Sequence, residues 1–522
     1  MTAEPVETRP ILPGFHPDPS ICRVGDDFYL VTSTFEYFPG LPVHHSRDLV
    51  NWELIGSALD RPSQLDLDRL ASSKGLYAPT IRHHDGVFYL VCTLVDSREN
   101  RTSSNFVVTA TDPAGPWSEP VWLGETESFD PSLFFDGDDV WFVATRPNPA
   151  AAVPGGTEVW VQAFDLATKT LTGPQHVIWH GALVDAVWAE APHLYRAPDG
   201  SVLLVVAEGG TAYHHAVTCA KADHVTGPYR NGPTNPVLSH RHLGEQYPVM
   251  GAGHADLVDA PDGSWWAVLL AMRIRTADDG AHYPMGRETF LARVEWEDGW
   301  PIVNPGVGAL RAEQPGLTGS TPPPAAPARD DFDAVTLGAH WSYLRTPRVP
   351  IVELAQRPGW LGLLPQPTGV DEVDCPAFVS RPQAAWDFTA SGLLDFAPRS
   401  ERDGAGIVLR QNENFSLKLL VTLDTGGRRV ARAIRRFDGV DEVAGETAVP
   451  DGPLELAVSG SGLEYSFLVG GEKLATVDGR GLSTSLAGGF TGVMLGPYAF
   501  ADPTDPASTG APTAWWDWFD LR

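Results

Sequence analysis

The sequence predicts an all-β protein of two units, a five-bladed β-propeller followed by a β-sandwich, and three observations carry that prediction. Short β-branched and aromatic runs dominate the chain, and amphipathic helical stretches are scarce. A turn motif recurs five times in the first part of the sequence. A Pro-, Ala- and Gly-rich break, LTGSTPPPAAPAR at 317–329, then interrupts the strand pattern. At 522 residues the chain has length for two or three domains with sizeable cores. The division expected is a propeller over 1–316, a linker over 317–329 and a sandwich over 330–522.

The first unit contains the runs DFYLVTSTF, VFYLVCTLV, VWFVATR, SVLLVVAE and SWWAVLLAM, bounded by Asp-Gly, Pro or Asn. They belong to a repeat: DPSICRVGDDFYLV from Asp18, APTIRHHDGVFYLV from Ala78, DPSLFFDGDDVWFV from Asp130, APHLYRAPDGSVLLV from Ala191 and HADLVDAPDGSWWAVLL from His254. The starts are 60, 52, 61 and 63 residues apart, room for a four-stranded blade each time. A sheet that cannot bury both faces alone must stack on its neighbours, and five such units arranged radially make a propeller around a channel. The start of each innermost strand then converges on the axis. Asp18, Asp130 and His254 occupy equivalent positions, and Glu190 stands one residue before its own.

Beyond the break come GAGIVLRQ, FSLKLLVTL, RVARAIRRF, LELAVSG, EYSFLVGG and AWWDWFDLR, separated by turns such as Thr425-Gly426-Gly427 and Gly470-Gly471. Alternating strands with tight turns indicate a lectin-like, concanavalin A-like sandwich of two sheets.

The net charge is −29, with a sequence pI near 4.8. Nucleic acid and anionic membrane surfaces are therefore poor partners, and neither is expected, since both demand a positive footprint that this balance opposes. Seventeen Trp, 12 Tyr and 22 Phe supply flat faces suited to sugar rings, although most will be core. Cys22, Cys92, Cys219 and Cys375 are widely spaced, form no ligand pattern and read as free thiols. The opening MTAEPVETRPILPGFHPD lacks a basic segment followed by an apolar one, so the expected location is the cytoplasm.

Three acids at one axis are the chemical signal. Glycosidic hydrolysis generally needs one protonated carboxyl to donate to the leaving oxygen and one ionised carboxyl to activate water or attack the anomeric carbon. Asp18 in GFHPDPSI, Asp130 in ESFDPSLFFDG and Glu190 in VWAEAPHLY are the candidates. An isolated Asp-Pro is ordinarily a turn, but recurrence at equivalent positions is not a turn property. Like charges raise one another's pKa, so one acid should keep a proton. Glu190, beside Val187, Trp188 and Ala189, is the acid expected to do so.

These residues resemble glycoside hydrolase family 43, in its two-domain β-xylosidase / α-L-arabinofuranosidase type. The resemblance runs nearly end to end, through PILPGFHPDPSI, TSTFEYFPGLPVHHSRDLVNWELIG, APTIRHHDG, FDPSLFFDG, AEAPHLY, AEGGTAYHHAVT, GHADLV and GRETFLARVEW. It implies Asp18 as general base, Glu190 as general acid and Asp130 as the residue that tunes and orients the acid. It also implies inversion, with base and acid roughly 6.5–9.5 Å apart to admit water. Arg287 matches an arginine at the first sugar subsite, and Phe35 an apolar wall of the pocket. Tyr77 stands where several relatives carry Trp, and Ala191 where Gly is common. His254 matches a histidine that in some relatives faces a calcium ion or a water cluster, which makes it a candidate metal site although Ca²⁺ prefers oxygen ligands. His193, His214 and His215 are expected to brace the pocket. Gly496–Phe500, GPYAF, resembles a sandwich loop that closes one side of it.

The function expected from this resemblance is an exo-acting, inverting β-xylosidase that releases xylose from non-reducing ends of xylo-oligosaccharides. α-L-Arabinofuranosidase or dual activity on arabinose-bearing oligosaccharides is the alternative. A non-catalytic carbohydrate-binding propeller is the reading from a different class. Retaining fructosidases fit less well, because their Asn-Asp-Pro, Arg-Asp-Pro and Glu-Cys signatures are not found. No cofactor is required for acid–base hydrolysis, Ca²⁺ at the axis being the one candidate, and relatives suggest a dimer or tetramer.

Overall fold

The computed structural model describes residues 8–99, 101–125, 127–183, 187–317, 327–501 and 512–522. Most of the expected linker, 318–326, lies outside the described residues.

Five antiparallel sheets follow one another along the first part of the chain. Their innermost strands are Ser20–Val24, Thr80–His84, Phe129–Asp136, Glu190–Arg196 and Val249–Asp259. Each touches the next and the fifth returns to the first, which closes a five-bladed ring. Turn chemistry builds the hairpins: Asp85 and Gly86, both with positive φ (48° and 78°), join Thr80–His84 to Val87–Val95, as a type I′ turn requires. Blades one, three and five have four strands each, whereas two and four each carry a fifth, short strand. In blade four the outer position is split into Arg230–Asn231 and Leu238–Ser239. Pro233 and Pro236, which lie between these pieces, have no N–H to give a ladder.

Each blade interface has its own apolar cluster, which explains why the repeat cannot fold singly. Cys22, Val43, Ile81 and Phe106 fill the space between blades one and two, Val91, Leu133 and Phe142 that between two and three, and Phe134, Val159 and Leu204 that between three and four. Leu203, Val217 and Leu269 fill the fourth interface, and Ile21, Leu30 and Val268 close the ring.

At the axis one buried carboxylate ties the blades together. Asp256 of blade five accepts hydrogen bonds from Ser20 Oγ (2.6 Å) and the Ile21 amide (3.0 Å) of blade one, from Arg82 of blade two (2.8 and 3.0 Å), and from the Tyr195 hydroxyl of blade four. Arg82 Nη2 also lies 3.1 Å from His193 Nδ1, itself 3.2 Å from Ser132 Oγ of blade three. Burial alone would raise the Asp256 pKa, but Arg82, then His193 and Ser20, hold the carboxyl far below the usual range. His193 thus braces the propeller.

The second part is a sandwich of two eight-stranded sheets around a single apolar core that includes Trp341, Leu363, Ile407, Leu456, Phe467 and Trp516. One sheet borrows its edge strand from the propeller: Tyr37–Phe38 pairs with Ser342–Leu344. A further apolar cluster, Phe15, Phe35, Tyr37, Leu344, Phe378, Val408 and Tyr498, joins the two units. Beside it, Arg345 and Arg410 of the sandwich share Glu413 (2.7 and 3.0 Å), and Arg410 lies 3.7 Å from the buried Glu36 of the propeller. The four cysteines are free, and no helix among the described residues is long and apolar enough to cross a membrane.

Candidate active site

The innermost strands deliver the acids through a shared backbone device. Asp18, Asp130, Ala191 and His254, four of the five repeat-equivalent residues, all have left-handed φ between 50° and 54°. The pairing register shifts between Phe129 and Ser132, Glu190 and His193, and Gly253 and Asp256, so three of these strands bulge where they reach the axis. Left-handed φ costs a non-glycine residue about 1–2 kcal/mol, and such strain concentrates where function needs a side chain re-aimed. It also accounts for the suitability of glycine at the Ala191 position.

One cavity of about 390 Å³ opens there. Asp18, Phe35, Tyr77, Asp130, Glu190, His254 and Arg287 all line it, so the structure brings the expected catalytic and sugar-binding residues to one place, whereas His193, His214 and His215 are not among the lining residues. Lys74, Phe129, Trp188, Thr211 and Phe490 are among the other residues of the wall and were not foreseen as such.

Asp18 is held by three neighbours. Arg287 Nη1 donates to Oδ1 at 2.7 Å, the Ser33 hydroxyl donates to Oδ2, and His254 Nδ1 lies 3.6 Å away. Burial pushes the carboxyl up, but Arg287, then His254 and Ser33, outweigh it and hold Asp18 below its ordinary value. It is the ionised acid. Asp130 has a weaker counterweight: its Oδ2 accepts the Ala191 amide at 3.1 Å, while burial and the charge on Asp18 push its pKa up to about 7. Glu190 is raised well above the carboxylate range by burial, then by Asp130 and Asp18. Its side chain is partly open to the cavity. Asp130 and Glu190 titrate as a pair, and Glu190 is the member that keeps the proton.

The apolar wall crosses the boundary between the two units. Phe35 stacks on Phe490 of the sandwich (5.8 Å between centroids), Tyr77 meets both rings at 5.2 and 6.0 Å, and the Arg287 guanidinium lies 5.5 Å from each Phe ring. Ser73 fixes this cluster: its Oγ accepts the Phe490 amide (2.8 Å) and its carbonyl the Tyr77 hydroxyl (3.2 Å). The sandwich therefore does close the pocket, but through Phe490. Gly496–Phe500 lies in the strand Met494–Ala501, paired on both sides with Ala377–Pro382 and Asp403–Asn412. A strand inside a sheet has no freedom to act as a lid, whereas the preceding turn can project a ring.

His254 is buried and neutral, its pKa lowered by burial although Asp18 opposes the shift. Its surroundings offer imidazole nitrogens and the Arg287 cation, with Asp18 already engaged. Ca²⁺ takes six to eight oxygen ligands, and among the described residues no group of three or more His, Cys, Asp or Glu could hold a metal ion. The residues present do not fit a directly ligated calcium ion, and no step below runs through one. His215 bonds the Gly251 carbonyl (2.9 Å), with its pKa lowered to about 3 by burial, and serves as a brace.

An ionised carboxylate and a carboxylic acid facing one apolar-walled cavity, with a fixed cation beside the former, are the arrangement that acid–base hydrolysis of a glycosidic bond requires. Residues 7–301 match the family model described as glycosyl hydrolases family 43, and residues 329–522 that of the beta xylosidase C-terminal concanavalin A-like domain. The chain belongs to glycoside hydrolase family 43. Family 43 relatives resemble it over almost their whole length. A xylosidase/arabinosidase of Butyrivibrio fibrisolvens is 41% identical over 95% of this chain and 96% of its own. The non-reducing end alpha-L-arabinofuranosidase BoGH43B of Bacteroides ovatus is 39% identical over 98% of this chain and 94% of its own. Among solved structures, a xylan beta-1,4-xylosidase from Bacillus halodurans C-125 superposes with a TM-score of 0.90 at 33% identity, covering 99% of this chain and 100% of the other. The protein is accordingly a glycoside hydrolase, and a non-catalytic propeller is not its class.

Proposed function

We propose that this family 43 enzyme is an exo-acting, inverting β-xylosidase that removes single xylose residues from the non-reducing ends of short xylo-oligosaccharides. The observation that carries the reading is the electrostatic split across one cavity, with Asp18 held ionised and Glu190 held protonated. Asp18 draws a proton from water, which attacks the anomeric carbon on the face opposite the leaving oxygen. Glu190 gives its proton to that oxygen as the bond breaks. Asp130 tunes Glu190 through its charge and holds the Ala191 amide beside it. Arg287 fixes Asp18 and reaches the sugar. A cavity of about 390 Å³, near the lower end of the roughly 300–1,000 Å³ typical of ligand sites, favours a short saccharide over a polymer lying along a groove.

α-L-Arabinofuranosidase is the second reading, supported by the similarity to BoGH43B and to the xylosidase/arabinosidase. Paired assays on p-nitrophenyl β-D-xylopyranoside and p-nitrophenyl α-L-arabinofuranoside, with xylotriose as natural substrate, separate the two. The expected result is faster turnover of the xyloside and stepwise release of xylose. Turnover of the arabinofuranoside alone selects the second reading.

A further inference from the structure

We propose that Trp188 is the platform on which the sugar of the leaving group stacks, and so decides what the enzyme accepts beyond the bond it cleaves. The inference rests on the hydrolase reading above and extends it to a residue with no role there. The cavity is graded from end to end: Phe35 is 2% and Asp18 4% exposed at its floor, whereas Trp188 on the same lining is 41% exposed. A pentose whose anomeric carbon lies between Asp18 and Glu190 fills the floor, so its leaving group must point out past Glu190. Trp188 stands two residues before Glu190 in the same segment and meets that group first.

The ring is held for this purpose. Trp188 has φ of 56°, strained for a bulky residue. Its amide donates to the Gly155 carbonyl at 2.8 Å, and the next carbonyl, of Ala189, accepts both the Thr145 and Thr157 hydroxyls (3.1 and 3.0 Å). The indole packs against Gly155 and Gly210, where an added Cβ would meet ring atoms at 3.0 and 3.4 Å. A large apolar ring kept exposed by strained backbone and gripped at its edge gains nothing for the core. A flat exposed indole at a sugar-cleaving centre offers its face to a pyranose ring.

The test compares two donors with the same glycone. Xylobiose places a sugar on Trp188, while β-D-xylosyl fluoride has a leaving group too small to reach it. W188L, which fills the space without a flat face, is expected to lower kcat/KM on xylobiose about 10- to 100-fold more than on the fluoride. W188F, which restores a face, should recover most of that difference. Arabinobiose and methyl α-L-arabinofuranoside are run in parallel, so whichever pentose the wild type cleaves supplies the comparison. Equal losses on both donors, or no selective loss on the disaccharide, overturn the platform while leaving the hydrolase reading intact. A wild type inert on both disaccharides overturns the two together.

Discussion

Replacing Glu190 by glutamine is expected to lower kcat/KM on xylobiose by about 10²- to 10⁴-fold, the usual contribution of a general acid. The loss should depend on the leaving group. Xylose departs as a poor leaving group and needs the proton, whereas 2,4-dinitrophenolate departs unaided, so turnover of the dinitrophenyl xyloside should fall far less. The pH profile supplies a second readout. Glu190 works only while protonated, and burial together with the charges of Asp130 and Asp18 raises its pKa. Activity of the wild type therefore declines on the alkaline side as this proton is lost. E190Q has no such proton, and the alkaline limb of its residual activity on the dinitrophenyl substrate should be absent. A uniform loss on all leaving groups would remove Glu190 from the role of acid.

Asp18→Asn should cost about as much, roughly 10²- to 10⁴-fold, but without regard to the leaving group, because activation of water is needed whichever group departs. Asn is isosteric, its Oδ1 can still accept from Arg287 and its Nδ2 can donate to the Ser33 hydroxyl oxygen, so the loss reports the missing base rather than a collapsed floor. Circular dichroism and the melting temperature of the variant check this. Two shifts follow from the charge. The acidic limb, set in the wild type by protonation of Asp18 below its ordinary pKa, should vanish. The negative charge of Asp18 also raises the pKa values of Asp130 and Glu190, so its removal should move the alkaline limb of the residual activity to lower pH.

Much of this centre was legible in the sequence because it is written in a repeat. Asp18, Asp130 and His254 are readable as neighbours once their motifs are aligned, since a closed ring brings equivalent positions to one axis. The shared left-handed φ of Asp18, Asp130, Ala191 and His254 is the physical form of that equivalence. Arg287 and Phe35 lie in no repeat-equivalent place, and Tyr77, although it precedes Ala78 as Glu190 precedes Ala191, was like them reached only by resemblance. Phe490 escaped altogether. It belongs to the sandwich and enters the pocket through long-range packing against Phe35 and Ser73, for which no local pattern exists. The nearby GPYAF motif drew attention in its place, although its alternating small and aromatic residues are those of a buried strand. Asp256 was hidden for a related reason. Its partners Ser20, Arg82 and Tyr195 come from three other blades, and a carboxylate in HADLV reads as a turn acid until the ring is closed. Trp188 stood beside Glu190 in plain sight and was taken only as part of its apolar surroundings.

The division of labour between Asp18 and Glu190 is tested most directly by the anomer first released. Proton NMR of p-nitrophenyl β-D-xylopyranoside hydrolysis, recorded with enough enzyme to outrun mutarotation, resolves the α and β anomeric protons of the one xylose released. Water delivered by Asp18 to the face opposite Glu190 gives α-xylose first, with the β anomer growing in only as solution equilibrium is reached. Initial accumulation of β-xylose would mean that a carboxylate attacks the sugar itself, and would contradict the assignment of Asp18 as a base.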